Sequence, residues 1–426
     1  MKLIRSLPLL VWIVIAIVLG ILVGPILPAW LGGVFATYNS VFSGLLSFVV
    51  PLIIFGLVAP AIAELGKGGG KQLGLTAGIS YTSTLLAGLL AFFTSSWLFR
   101  SSLEGTDIKG IAEAEGDGFS PFFTVVSEAT EIDPNDPLAA ADVATEIVLE
   151  PVIGVMSALV LAIIIGAGLT AFRSRVLFRG AIEFRSIVES LIRNVIVPAL
   201  PLFIFGIFAE LAHSGAAVIV VQKFLLVVIV SFALTLFMLL VQYTVAGTIA
   251  GRNPVKSLWN MRDAYFTALG TSSSAATIPV TLRSAKKNGV SDTVAGFVIP
   301  LCATVHLSGS MIKITCFSMA VLMITGGDTS FLTYLPFILM LGVMMIAAPG
   351  VPGGAIAAAA GLLTQMLGFG QVEVGLMFAA YIALDSFGTA ANVTGDGAIA
   401  MIVDKIGGRP AEGSGQDEND RIIEAT

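Results

Sequence analysis

Long apolar stretches joined by short polar links recur along the whole chain, and each is near or above the ~20 residues that cross a bilayer as a helix. They lie at about 8–31, 36–65, 72–99, 147–172, 186–212 and 216–250. After Arg252 the pattern changes. Segments near 257–280 and 331–368 are apolar but broken mid-way, the first by Thr271-Ser-Ser-Ser-Ala-Ala-Thr-Ile-Pro279, the second by Pro349-Gly-Val-Pro-Gly-Gly354. Each is followed by a long apolar segment, at about 290–325 and 373–404. Non-helical backbone at membrane depth is tolerated only inside protein or beside a water-filled cavity. Two broken hairpins in corresponding positions of a repeat therefore point to a binding site.

Composition agrees. Hydrophobic residues make up 56% of 426 residues and charged ones only 12%, too few charges to cover a soluble domain of this size. The net charge of −6 includes no basic patch of the kind nucleic acid needs. Lys2 and Arg5 before Pro8–Val23 could open a secretory signal peptide, but the apolar run continues to about Leu31, past the ~7–15 residues of a signal h-region. A first transmembrane helix is the better reading. Cys302 and Cys316, in one continuous helix, would lie about 21 Å apart, beyond disulfide reach.

Charge assigns the sides. Lys67, Lys71, Arg173, Arg175, Arg179, Arg252, Lys256, Arg262, Lys286, Lys287, Lys405 and Arg409 fall on one face if the two broken segments dip in and return. The positive-inside rule then puts both termini in the cytoplasm, as expected of an inner (plasma) membrane protein. Residues 101–150 fall outside; they are acidic, with Lys109 the sole cation, and their Pro, Gly and Asp breaks predict an irregular, solvated loop. Residues 407–426 read as a flexible tail.

Polar groups inside the last helices carry the chemistry. Asp385, Asn392 and Asp396 are seven and four residues apart, a spacing that places them on one helix face. Ionised groups cost at least ~2.5–3.5 kcal/mol near the bilayer centre and so face a partner or a cavity. His306-Leu-Ser-Gly-Ser310 breaks the helix at 290–325, and Lys313 follows it deep in apolar sequence.

Taken together, GTSSSAATIP, HLSGS, GVPGG and DxxxTxxNVxGD, in this order over about 252–405, resemble the dicarboxylate/amino-acid:cation symporter family, which contains the glutamate transporter homologues. The six preceding spans fit as well. The resemblance implies an all-α polytopic membrane protein of eight transmembrane helices and two re-entrant helical hairpins in inverted repeats. It also implies a homotrimer working as an elevator. Scaffold helices 1–2 would occupy 1–71, transport-domain helix 3 residues 72–99, the acidic extracellular loop 100–146 and scaffold helices 4–5 residues 147–212. Transport-domain helix 6 would span 213–252, the transport core 253–405 and the cytoplasmic tail 406–426.

By the same resemblance, Ser272, Ser273 and Ser274 would bind a substrate carboxylate, and Gly350, Val351 and Gly353 would form the extracellular gate. Asp385 would hold the substrate ammonium and Asn392 its carboxylate, with Gly388 and Thr389 beside them. Asp396 would ligate sodium, helped by Asn392 and by backbone oxygens near Cys302 and His306; Thr304 would serve a site completed by the second hairpin. Such hard cations take oxygen ligands. Sodium is cargo here, and no cofactor is implied.

Departures from the family pattern reshape the expectation. Acidic-substrate members have an arginine where this chain has Gly388, and a guanidinium fork is the means of holding a second carboxylate. Its loss argues for a neutral amino acid such as serine or threonine, with Gly388 leaving room. The family's NMDGT is HLSGS here, so the sodium site that Tyr81 and Thr84 would share loses its aspartate, and fewer coupled sodium ions are expected. Lys313 has no place in the pattern. It could pair with Asp385 or Asp396, supply charge for an acidic amino acid or dicarboxylate, or snorkel to an edge. His306 could couple transport to protons or be a hydrogen-bonded structural residue. Two rivals come from other classes: an intramembrane hydrolase using Ser272–Ser274, His306 and an aspartate, and a channel.

Overall fold

A computed structural model describes residues 9–67, 71–103, 119–126, 146–172, 175–348 and 352–407. Gly350, Val351, most of the acidic loop and the tail lie outside them. The elements in order are α1 (Leu9–Val23, extended by a 3-10 turn at Gly24–Ile26), α2 (Ala29–Lys67), α3 (Lys71–Leu103), β1 (Thr124–Val126) and β2 (Glu146–Val148). Next come α4 (Val155–Phe172), α5 (Arg175–Leu191), a π-turn at Ile192–Ile196, α6 (Val197–His213) and α7 (Ala217–Ala250). The last part holds α8 (Pro254–Asn260), α9 (Arg262–Thr271), α10 (Ser274–Lys287), α11 (Asp292–Val305), α12 (Ser308–Thr325), α13 (Phe331–Ala347), α14 (Gly354–Leu367), α15 (Gln371–Ala383) and α16 (Asp385–Ile406).

Among the described residues seven helical stretches are long and apolar enough to cross a membrane, or eight when the bent pair α15–α16 is one span. This is a multi-pass membrane protein. The four helices of the two broken segments are short by comparison. α9, α10, α13 and α14 have 10, 14, 17 and 14 residues, so even the longest rises only about 25 Å against ~30 Å of hydrocarbon.

Several boundaries differ from the sequence expectation, three of them for a local reason. The span expected from 147 starts as helix only at Val155. Before it, β2 pairs in parallel with β1, and Pro151 and Gly154 disfavour helix there. This strand pair also anchors part of the acidic loop, expected to be irregular and exposed, on α2: Val125 N–H donates to Ser40 Oγ at 2.7 Å and Phe122 N–H to Thr37 Oγ1 at 2.8 Å. The span expected from 186 is helical from Arg175, because the charged turns of α5 are amphipathic and an apolar run misses them. The last segment, expected unbroken from 373, bends by 61° at Leu384. A carboxylate at the first residue of α16 complements the positive end of that helix and favours a new start there.

The segment 292–325 is the most enclosed of the spans. Sixteen of the 18 residues of α12 are buried, polar ones included, the signature of a helix packed on all sides. It breaks from α11 at His306, whose backbone is extended (φ −103, ψ 94), and at Leu307. Cys302 and Cys316 fall on opposite sides of this break, both free, one beside Ser80 and the other beside Ser95 of α3.

Candidate functional site

Both loop tips arrive at the first turn of α16. In the first, Ser272 adopts the left-handed conformation at φ 49, which ends α9, and Ser273 caps α10 by accepting from Ala276 N–H at 3.3 Å. Ser274 is then the first residue of α10. Ser272 Oγ lies 2.6 Å from Ser386 Oγ. In the second tip, Gly353 has φ +75 and precedes α14; its N–H donates to Asp385 Oδ2 at 3.0 Å. Glycine is required by that backbone, since side chains destabilise the left-handed region by roughly 1–2 kcal/mol. The starts of α10, α14 and α16 thus converge. Free N–H groups and the positive ends of three helices make such a place receptive to a carboxylate.

Asp385, Asn392 and Asp396 do share a face, and all three are buried. That face is turned to the broken span. Asp385 Oδ1 lies 3.5 Å from Lys313 Nζ. Asn392 accepts from Gly309 N–H at 2.7 Å and donates to Ser310 Oγ at 3.2 Å, and Tyr381 donates to the same hydroxyl at 3.0 Å. Asp396 Oδ1 lies 3.0 Å from His306 Nδ1. Thr389 Oγ1 donates to the Asp385 carbonyl at 3.0 Å. Asp385 and Asp396 stand about 16 Å apart along one helix, so they serve two places: one at the loop tips, one at the helix break.

At the break, His306 Nε2 contacts Ser83 Oγ at 3.1 Å and Gln242 Nε2 at 3.3 Å, and Gln242 also donates to Ser308 Oγ at 3.1 Å. Three buried oxygens nearby in sequence to these groups lack a partner: Gln242 Oε1, Thr84 Oγ1 and Thr394 Oγ1. Neutral and anionic oxygens with spare lone pairs are the ligands a hard monovalent cation takes. The Cys302 carbonyl accepts from His306 N–H at 2.9 Å. Tyr81 reaches away, to the Leu339 carbonyl at 3.3 Å. Thr304 is exposed, donates to the Leu301 carbonyl at 2.9 Å and lines a separate cavity of about 250 Å³ with Ile346–Ala348 at the end of α13.

The comparison with known families matches the description "Sodium:dicarboxylate symporter family" over residues 9–406. This chain belongs to that family. Members are transporters and not enzymes, and their transport is coupled to a cation, with sodium as the co-transported ion. In this symporter Ser272 pairs with Ser386, while His306 is engaged with Asp396, Ser83 and Gln242. No nucleophile–base contact of a hydrolase forms between them.

One expectation is corrected inside the symporter. Gly388 leaves no room. A Cβ built there would stand 2.3 Å from Lys313 Cε and 2.4 Å from Nζ, so the lysine stem already fills the space. Of the readings for Lys313, snorkelling fails, because its side chain is 3% exposed. Pairing with Asp385 is what forms, and the Lys313–Asp396 alternative does not, since Asp396 is held by His306. Ser386, Tyr381, Gln242 and Ser83 were not singled out by sequence, and Ser310 only as part of the helix break. Gln242, a lone amide in the apolar run FMLLVQYTVAG, carried the clearest overlooked signal.

Proposed function

We propose that this chain is a secondary active carrier that couples sodium entry to uptake of a small carboxylate-bearing, amino-acid-like solute. The observation that carries the reading is the meeting of both loop tips with one helical turn, through Gly353 to Asp385 and Ser272 to Ser386. The solute would sit between those tips. Ser272–Ser274, Gly353 and its neighbour Val351 would offer backbone and hydroxyl donors to its carboxylate, with Asp385, Gly388, Thr389 and Asn392 forming the wall.

Sodium would bind nearer the helix break, at Asp396 and the oxygens around it, with Thr304 and the end of α13 as a second candidate place. The short helices α9–α10 and α13–α14 are read as re-entrant hairpins, one from each side. Packing supports a division into two bodies: α2 rests on α4, α5 and α6, and α1 on α6, whereas α16 packs on α7, α9, α10, α11 and α12. The first group would be a scaffold and the second a transport unit sliding past it as an elevator, in a homotrimer with both termini cytoplasmic in the plasma membrane. The expectation of a neutral amino acid such as serine or threonine rested on Gly388 standing where acidic-substrate members have an arginine, and on the space this was expected to leave. With that space filled by Lys313, the solute class turns on the lysine.

The test is counterflow in proteoliposomes. Vesicles preloaded with a panel of unlabelled amino acids or carboxylic acids, in sodium, should drive saturable entry of the labelled compound through the carrier. Flux that rises linearly with concentration and shows no counterflow would indicate a channel instead.

A further inference from the structure

Lys313 occupies a site shaped for an ammonium group. Its Nζ donates to the Leu384 carbonyl at 3.2 Å, lies 3.5 Å from both Asp385 Oδ1 and the Asp385 carbonyl, and stands 4.0 Å from the centroid of the Tyr381 ring. A carboxylate, carbonyls and the face of an aromatic ring are the groups by which proteins recognise an ammonium. The end of the side chain lies against Gly388, where an added Cβ would stand 2.3 Å from Cε and displace it.

This arrangement decides what a solute at the loop tips can bring. Asp385 is engaged at both oxygens, one by Gly353 N–H and one by Lys313. A solute ammonium would therefore meet a carboxylate that is already neutralised, with a like charge beside it. A solute carboxylate would meet the converging starts of α10, α14 and α16 and an ammonium whose three donors are held only by long contacts. The contacts of Nζ, at 3.2–3.5 Å, are longer than the ~2.7–2.9 Å of a tight charge-assisted bond, so the group can exchange one of them for a solute oxygen.

We propose that Lys313 is a built-in ammonium standing where a solute's own amine would bind, and that the carrier selects small carboxylates without an α-amino group, such as 2-hydroxy or 2-oxo acids. Lys313 is then a specificity-determining residue. The inference rests on the carrier reading above.

The test uses the full chain, purified in detergent, and matched pairs of compounds that differ only at the amine: malate against aspartate, glycerate against serine, lactate against alanine. Thermal stability is followed against concentration, with and without sodium, because a ligand that binds only the folded state must raise it. At least one amine-free acid should stabilise the wild type at concentrations at least about a hundredfold below its amino counterpart, the scale of a like-charge clash at about 4 Å. Lys313→Arg should keep that preference. Lys313→Met should lose or reverse it, and the double variant Lys313→Met/Asp385→Asn, which removes both buried charges, reads the same point where the single variant fails to fold. Equal or better stabilisation of the wild type by amino acids overturns the assignment of Lys313 but leaves the carrier reading standing, as does a preference unchanged in the Met variants. No stabilisation by any compound, with or without sodium, overturns both.

Discussion

His306 Nδ1 lies 3.0 Å from Asp396 Oδ1, and neither side chain is more than 1% exposed. The imidazole stands at the helix break and the carboxylate on α16, so the contact ties the broken span to the helix that receives both loop tips. Removing one partner of a buried pair of this kind costs about 3–5 kcal/mol when the pair is charged. The pair faces Ser83, Gln242 and Ser308 rather than open space.

Asp396 is the one formal negative charge contacted at the break among the described residues, with Gln242 Oε1, Thr84 Oγ1 and Thr394 Oγ1 unpartnered in the same set of helices. Asp396→Asn keeps the shape and removes the charge. Its half-saturating sodium concentration for uptake should rise by at least about tenfold, equivalent to 1.4 kcal/mol. A sodium dependence equal to wild type would place the cation elsewhere.

His306 is the test of proton involvement. With a proton carried by His306, uptake by His306→Asn should lose any pH dependence that wild-type uptake has between about pH 5 and 8. Parallel pH profiles for the two proteins would reduce His306 to a hydrogen-bonded structural residue.

Gly388 and Lys313 should behave as one unit. Gly388→Ala alone drives a methyl group into the lysine stem and should lower both the melting temperature and uptake. Combined with Lys313→Ala it should cost little further, giving a coupling of about 1–3 kcal/mol in a double-mutant cycle. Additive effects would contradict the contact.

This last pair shows where sequence reasoning stopped. The spans, the two breaks and the shared face of Asp385, Asn392 and Asp396 were legible because hydrophobic length and helical spacing are local properties. A glycine in place of an arginine at 388 and an unexplained lysine at 313 were both visible, but that one fills the space of the other is a relation between helices 75 residues apart. Spacing within one helix could not supply it. The same holds for His306 and Asp396, ninety residues apart. The bend at Leu384 escaped notice because both of its arms are apolar, and the charged turns of α5 because only an amphipathic pattern marks them.

At the second tip, a Cβ added at Gly353 would make an ordinary contact with Ile382 at 3.7 Å, but its φ is +75. Gly353→Ala therefore acts through backbone strain alone. One or two kcal/mol should reduce the population of the docked tip, and with it uptake, by a factor of roughly 5–30. Wild-type uptake by this variant would mean that the tip need not dock on Asp385 during transport.

A carrier of this kind uses the sodium gradient to concentrate the solute held at its loop tips. The most direct measurement is accumulation of labelled malate, lactate or glycerate, alongside their amino counterparts, in proteoliposomes under an imposed inward sodium gradient. Accumulation of at least one of them above the external concentration, collapsing when a sodium ionophore is added, is the result predicted here. Entry that stops at equilibrium for every compound, with or without the gradient, would contradict it.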